Sequence, residues 1–540
     1  MSACVLRVRL WLESLRQTPE AARRLWLLRL LLLSGAAAVL VTAFGYGFVP
    51  VSGDELTVAW DGKQVLMGRV PYLDYFCFLP PLTVYGVAAL FKIFGASLAC
   101  LRLFSILWLV MTTLVLFETL RKINVPDLQA AAASFLFPAL MVPFWPVAGH
   151  HWFAVGFGLI SLRCALGASV SGSKGAWFLT GLLAGCSGMC LQTEGALFGL
   201  LAAGLWLLIP PPAGRSRLSS AWPWLVGLAA VPAFFAVLLA SQGALGRAIS
   251  EVVLWPLTTY RQPGGFNDVS LFPSLAMIGR EFWARLGADF SLDVVLKLAS
   301  FVGSLAVVLS APLLLAEALA RDIRKPWTAR RLWIWSALGT AATFLIYSRG
   351  RADWVHLSFF FPLFLVFAAS AVEWSSPGRA ARAWTGMVLV CLGVSTIRWA
   401  SVWTHHPPLL ERVLKTDALF VKDGPPSVIE GIRHADGAKP AVLCLPQGSP
   451  IYFYWAPDPP PVSLLMPPSS HYNAPWEYKS LTSFAESHKV PYILIEKRYV
   501  QHFLSEPSLI RDLLREHYLP FKEEASMIFF RRVADASAAK

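Results

Sequence analysis

Two adjacent carboxylates, Asp54 and Glu55, follow the first long apolar run of the chain. A carboxylate at a membrane surface is placed to accept a proton from a hydroxyl, the work of a general base. The competing role for Asp54 is to cap the helix that follows, a common duty of Asp in such a place. Neighbours on a helix point about 100° apart, so the two acids face different surroundings. A second cluster reads Ser348-Arg349-Gly350-Arg351-Ala352-Asp353-Trp354-Val355-His356. Planar guanidinium forks suit phosphate, so Arg349 and Arg351 are candidates to hold one and His356 to donate to it. The plainer alternative is an Arg–Asp353 pair at a rim, worth little. His150-His151 and Glu194 are the other singular features. Adjacent histidines alone do not make a metal site. Glu194 either accepts hydrogen bonds from sugar hydroxyls or ends a span in solvent.

These residues need a scaffold, and composition says which kind. The 540 residues are 56% hydrophobic and 15% charged, with a mean hydropathy of +0.56. A soluble domain carries about a quarter charged residues, so the deficit argues for a membrane protein. Residues 405–540 hold 15 Lys+Arg and 15 Asp+Glu, a neutral stretch with the balance of a globular domain. The remaining 31 basic and 18 acidic residues lie in 1–404, which therefore carries the whole net charge of +13. A soluble enzyme, a disordered chain and a nucleic-acid binder are all disfavoured by this division. Cys100, Cys164, Cys186, Cys190 and Cys391 sit in apolar runs as small hydrophobes.

A retained first span is expected over Leu25–Val49, behind an Arg-rich N-terminus. Further apolar stretches near 97–119, 128–146, 152–170, 176–192, 195–211, 221–241, 293–319, 332–347, 357–373 and 384–402 bring the expected total to about eleven. With the N-terminus inside, Arg121-Lys122, Lys174, Arg215, Arg217, Arg321, Arg324, Lys325, Arg330, Arg331, Arg379 and Arg382 all fall in cytoplasmic loops, as the positive-inside rule requires. The protein is then expected in the inner (plasma) membrane, with the domain of residues 405–540 on the periplasmic side. Pro80–Gly95 is too short to cross and reads as an interfacial or re-entrant helix within a long first external loop, about 50–96. The C-terminal domain alternates short apolar runs (441–446, 450–455, 492–497, 527–532) with helix-like segments (426–436, 476–488, 507–517), a small α/β pattern.

The first loop contains Gly68, Pro71, Tyr72 and Asp74 in GRVPYLD, then Pro80-Pro81 and Tyr85, Phe94-Gly95, and Arg102 opening the next span. With Asp54-Glu55 ahead of them, these motifs in this order resemble the GT-C membrane glycosyltransferases, specifically the protein O-mannosyltransferase and aminoarabinose transferase group (glycosyltransferase family 39-like). The match is good over residues 25–122 and beyond that lies mainly in topology. The resemblance implies a GT-C architecture and a catalytic acid at Asp54 or Glu55. It also implies a substrate-binding mouth drawing on Tyr72, Asp74, Arg102, His150, His151, Glu194, Arg349, Arg351 and His356. Relatives carry an acid in the loop holding His150-His151 and a Lys near Glu194, and this chain departs at both. The histidines either replace that acid in acceptor binding or are interfacial residues beside Trp145 and Trp152. The loop 242–292, with Trp255, Tyr260, Arg261 and Asp268, is placed to cover a cleft.

The expected function is transfer of a hexosyl or pentosyl unit from a polyprenyl-phosphate donor to a glycolipid, polysaccharide or protein acceptor on the outer face, with inversion. Phosphate is an adequate leaving group, so one base and cationic stabilisation suffice. The sequence names no cofactor, and a divalent cation is compatible with the chemistry. The alternatives are a secondary transporter, which would show two similar halves with broken helices, and a non-catalytic binder of lipid-linked sugars.

Overall fold

The computed structural model describes residues 19–46, 53–210, 216–259, 269–288, 291–322, 327–349, 352–372, 374, 378–417, 442–445, 453, 475–505, 509–524 and 527–533. In chain order the first half runs α1 (Pro19–Tyr46), α2 (Gly53–Leu66), α3 (Pro81–Phe94), α4 (Leu98–Lys122), α5 (Asp127–Leu136), α6 (His150–Ser171), α7 (Lys174–Cys190), α8 (Gln192–Leu208), α9 (Leu218–Ser241), α10 (Leu245–Ile249) and α11 (Trp255–Thr258). The second half continues with α12 (Leu271–Ala288), α13 (Leu292–Asp322), α14 (Trp327–Arg349), α15 (Trp354–Ser358), α16 (Phe361–Ser370), α17 (Arg379–His405) and α18 (Leu410–Leu414). The C-terminal elements are β1 (Val442–Leu445), α19 (Pro475–Ser487), β2 (Tyr492–Glu496), α20 (Lys497–Ser505), α21 (Leu509–His517), β3 (Tyr518–Glu524) and β4 (Met527–Arg532).

Each of the eleven apolar stretches contains a helix among its described residues. Seven helices among the described residues are long and apolar enough to cross a membrane, beginning with Glu20–Tyr46 and ending with Arg379–His405. The helices α7 and α8 have 17 residues each, about 25 Å of rise against a hydrocarbon layer of about 30 Å. The helix within the expected stretch at 357–373, α16, is shorter still at 10 residues. Every residue of α16 is buried, as expected for a helix that is apolar all round and enclosed by its neighbours.

Local chemistry sets the ends. Ser97 accepts from Cys100 N at 3.1 Å and so starts α4, and Pro81 occupies the first turn of α3, where its missing N–H costs nothing. Pro138 cannot donate to the helical ladder, and α5 continues there through a π turn, Phe137–Met141. Helices α7 and α9 touch through their backbones. A Cβ added to Gly181 would lie 2.0 Å from the Trp224 carbonyl oxygen, and one on Gly227 would lie 2.1 Å from that of Phe178. Only glycine permits this approach, the usual way helices associate where lipid supplies no hydrophobic drive.

The C-terminal sheet has the order β1-β2-β4-β3, with β1 and β2 parallel and the other pairs antiparallel. Alternation divides its two faces. Leu443, Ile493 and Phe530 pack with α19, α20 and α21, while Cys444, Leu494 and Phe529 join the main core. The runs at 441–446, 492–497 and 527–532 match strands, and 476–488 and 507–517 match helices. The run 450–455, except Phe453, and the segment 426–436 lie outside the described residues. Strand β3, YLPFKEE, was not expected, because a proline and three charges disguise an edge strand.

Candidate functional site

The two adjacent carboxylates have different fates. Glu55, in the first turn of α2, is fully buried. Arg102, in the second turn of α4, donates Nη2 to Glu55 Oε2 at 2.6 Å and Nε to Oε1 at 3.0 Å. Its Nη1 donates to the Phe44 carbonyl at 3.0 Å, and Ala148 N donates to Glu55 Oε1 at 3.0 Å. A buried pair tolerates desolvation only when such further hydrogen bonds satisfy it. The pair ties α1, α2, α4 and the entry to α6 together. Asp54 lies one residue earlier and about 100° around the helix. It is exposed, and its carboxylate makes no hydrogen bond or ion pair to a described residue.

The histidines and Glu194 meet, although the sequence keeps them far apart. His151 Nδ1 lies 3.1 Å from Glu194 Oε1, and Thr193 Oγ1 donates to Glu194 Oε2 at 2.5 Å. Glu194 is 2% exposed, which removes the solvated alternative. The His151 ring stacks on Phe359 at 4.0 Å and 3° and stands edge-on to His356 at 5.3 Å. His356 Nδ1 pairs with Asp353 Oδ1 at 2.7 Å, and the same oxygen accepts the His356 backbone N–H at 2.9 Å, capping α15. Asp353 therefore holds His356. The side chain of Arg349, at the end of α14, and all of Arg351 lie outside the described residues.

Tyr72 and Asp74 build the loop that carries them. Tyr72 has φ of 70°, is fully buried, and donates its hydroxyl to the Leu79 carbonyl at 2.6 Å. Asp74 Oδ2 accepts from Val70 N at 2.7 Å. The loop is then fastened to the segment after α9. Glu251 Oε2 accepts from Cys77 N at 3.0 Å, Arg247 Nη1 donates to the Leu73 carbonyl at 3.0 Å, and Gln192 Nε2 donates to the Val252 carbonyl at 2.7 Å. Trp255 of the loop 242–292 packs on Phe76 and Phe78 of the first loop at 5.3 and 5.2 Å. Tyr260, Arg261 and Asp268 lie outside the described residues.

Two acids of this region were not singled out in the sequence. Burial pushes the Asp61 carboxyl up to about 8, with only Gln64 Nε2, 3.4 Å away, opposing the shift. Burial likewise pushes Glu251 up to about 8, against the Cys77 N–H and the Arg247 charge. A lone acid inside an apolar run, as in TVAWDG or SEVVLW, is the signal that would have found them.

All these groups sit at one end of the bundle. The other end carries Arg29–Glu118 at 2.5 Å and Arg121–Asp127 at 2.6 Å, together with Lys122, Lys174, Arg379 and Arg382. The C-terminal part closes over the first end. Arg412 lies 4.1 Å above the Tyr46 ring, Asp417 accepts from Leu98 N and Ala99 N at 2.9 and 3.0 Å, and Lys63 donates to the Phe453 carbonyl while covering its ring at 4.9 Å. No group of three or more potential metal ligands occurs among the described residues.

Residues 79–239 match the family described as dolichyl-phosphate-mannose-protein mannosyltransferase. No curated protein matches the chain. Among solved structures, ArnT from Cupriavidus metallidurans bound to undecaprenyl phosphate superposes with a TM-score of 0.56 at 14% identity, over 94% of this chain and 98% of that one. The chain has the GT-C fold. A mutant of the arabinofuranosyltransferase AftD from Mycobacteria matches at 14% identity and a TM-score of 0.50, over 94% of this chain and 42% of that one. With seven helices long and apolar enough to cross a membrane among the described residues, this is a multi-pass membrane protein, and the small C-terminal sheet accompanies its helical body. Arg102, His150, His151 and Glu194 lie within the matched residues, and Asp54 and Glu55 lie before them.

Proposed function

We propose that this chain is a glycosyltransferase that takes a sugar from a polyprenyl phosphate and passes it to a hydroxyl on a glycolipid, polysaccharide or protein at the outer face, with Asp54 as general base. The observation that carries the reading is the contrast between the two neighbouring acids. Glu55 is committed to Arg102 and Ala148, while Asp54 is held beside it, exposed and without a described partner. Arg102 is then a positioning residue, and Tyr72 and Asp74 shape the loop.

In the reaction Asp54 accepts the proton of the acceptor hydroxyl as its oxygen bonds to the anomeric carbon. The bond from that carbon to the phosphate oxygen breaks, and its electron pair leaves with polyprenyl phosphate. A single displacement inverts the anomeric centre. The donor class is supported by the undecaprenyl phosphate in the ArnT structure. The outward orientation is supported by the Lys and Arg gathered at the opposite end of the bundle.

The test uses purified protein with a panel of polyprenyl-phosphate sugars and membrane extract as acceptor source, following release of polyprenyl phosphate. Wild type should release it from one donor, and Asp54→Asn should lose about a hundredfold or more of that rate, the scale of a missing general base. Equal rates would move the base elsewhere. No release from any donor would remove the transferase reading.

A further inference from the structure

The N-terminus of α6 is open. Its cap residue is Gly149, and no side chain caps the helix, so the first N–H groups of a 22-residue helix lack intrahelical acceptors at its positive end. His150, the first helical residue, is 8% exposed, and its Nδ1 has no hydrogen-bond partner. An unsatisfied buried polar atom is destabilising, and a ligand with an oxygen at this position would satisfy it. The His150 ring lies 4.4 Å from His151, which lies 5.3 Å from His356. Glu194 and Asp353 take the Nδ1 atoms of His151 and His356. That fixes the two ring orientations and leaves their Nε2 edges for something else.

We propose that the phosphate group of the lipid-linked donor binds at this helix terminus, accepting hydrogen bonds from the free N–H groups of α6 and from the imidazoles of His150, His151 and His356. The inference rests on the donor class of the proposed function and adds where its charged end sits. Helix N-termini bind phosphate through the same combination of oriented N–H groups and dipole. The location also suits the chemistry. Ala148, two residues before His150, donates to Glu55, the sequence neighbour of Asp54, which ties this terminus to the helix that carries the proposed base.

The test titrates the purified full-length protein with undecaprenyl phosphate, undecaprenol and inorganic phosphate, using tryptophan fluorescence and a thermal unfolding control. Undecaprenyl phosphate should bind more tightly than either of the others. His150→Gln and His356→Gln should each weaken it about tenfold, near the value of one charge-assisted hydrogen bond, with undecaprenol binding unchanged. His356 is only partly buried, so its variant keeps the test decisive where His150→Gln fails to fold. Wild-type affinity in the folded variants would overturn the proposal and leave the transferase reading intact. Inorganic phosphate binding as tightly as the lipid would also overturn it, in favour of a free-anion site. Failure of wild type to distinguish undecaprenyl phosphate from undecaprenol would remove both this proposal and the lipid-linked donor.

Discussion

Arg102 grips Glu55 through both ends of its guanidinium group, with Nη2 at 2.6 Å and Nε at 3.0 Å from the two carboxylate oxygens, inside a region where neither side chain reaches solvent appreciably. Removing one charge leaves the other buried and unanswered, a loss of about 3–5 kcal/mol. Glu55→Gln should therefore unfold at a clearly lower temperature and lose transfer with it. Asp54→Asn, at an exposed position, should change stability by less than about 0.5 kcal/mol while losing transfer. Thermal unfolding and turnover measured on both variants test the division. Equal stability of the two would contradict it.

Asp61 and Glu251 should make the protein less stable as pH rises. Their ordinary values are 3.8 and 4.5, and both are pushed up to about 8 in the fold. Between those limits the folded chain retains protons that the unfolded chain has released, so the stability contribution is complete below about pH 4 and is lost as pH climbs to about 8. The unfolding temperature of wild type should fall across that window, and Asp61→Asn with Glu251→Gln should flatten the slope. An unchanged slope in the double variant would show that other groups set it.

Tyr72 holds a left-handed backbone, φ 70°, for the sake of its buried hydroxyl bond to Leu79. Tyr72→Phe keeps the ring and removes the donor, leaving a buried carbonyl short of a partner at a cost of about 1–3 kcal/mol. The expected signature is a lowered unfolding temperature. A variant as stable as wild type would count against the hydroxyl as a loop fastener.

The glycines divide sharply by position. Gly181→Val would drive a branched side chain into the Trp224 carbonyl and should abolish folded, monodisperse protein on size-exclusion chromatography in detergent. Gly393→Ala, on α17 with nothing near its Cβ direction, should express normally and gain slightly from helix propensity. Equal behaviour of the two would refute the backbone contact between α7 and α9.

Much of the fold was legible because apolar length is a local property. Stretches such as 97–119 and 384–402 became α4 and α17 with little displacement. The site was legible only as a set of candidates. Which of Asp54 and Glu55 is free depends on Arg102, 47 residues later, and on Ala148, 93 residues later. The Glu251–Cys77 bond spans 174 residues, and no periodicity announces it. His356 and Asp353 stand three apart and capable of pairing within one helical turn, yet the arginines beside them drew the expected pairing away. The meeting of His151 with Glu194 across α6 and α8 is purely tertiary.

The bond from Ala148 to Glu55 has a mechanical meaning. It ties the entry of α6 to the start of α2, and through Arg102 to α4, so three helix starts share one buried carboxylate. The helix bearing His356 meets α6 through ring contacts, His151 with Phe359 at 4.0 Å and with His356 at 5.3 Å, each worth about 0.5–1.5 kcal/mol. Substitutions at Phe359 should therefore disturb the histidine cluster while leaving the hydrogen bonds to Glu55 in place.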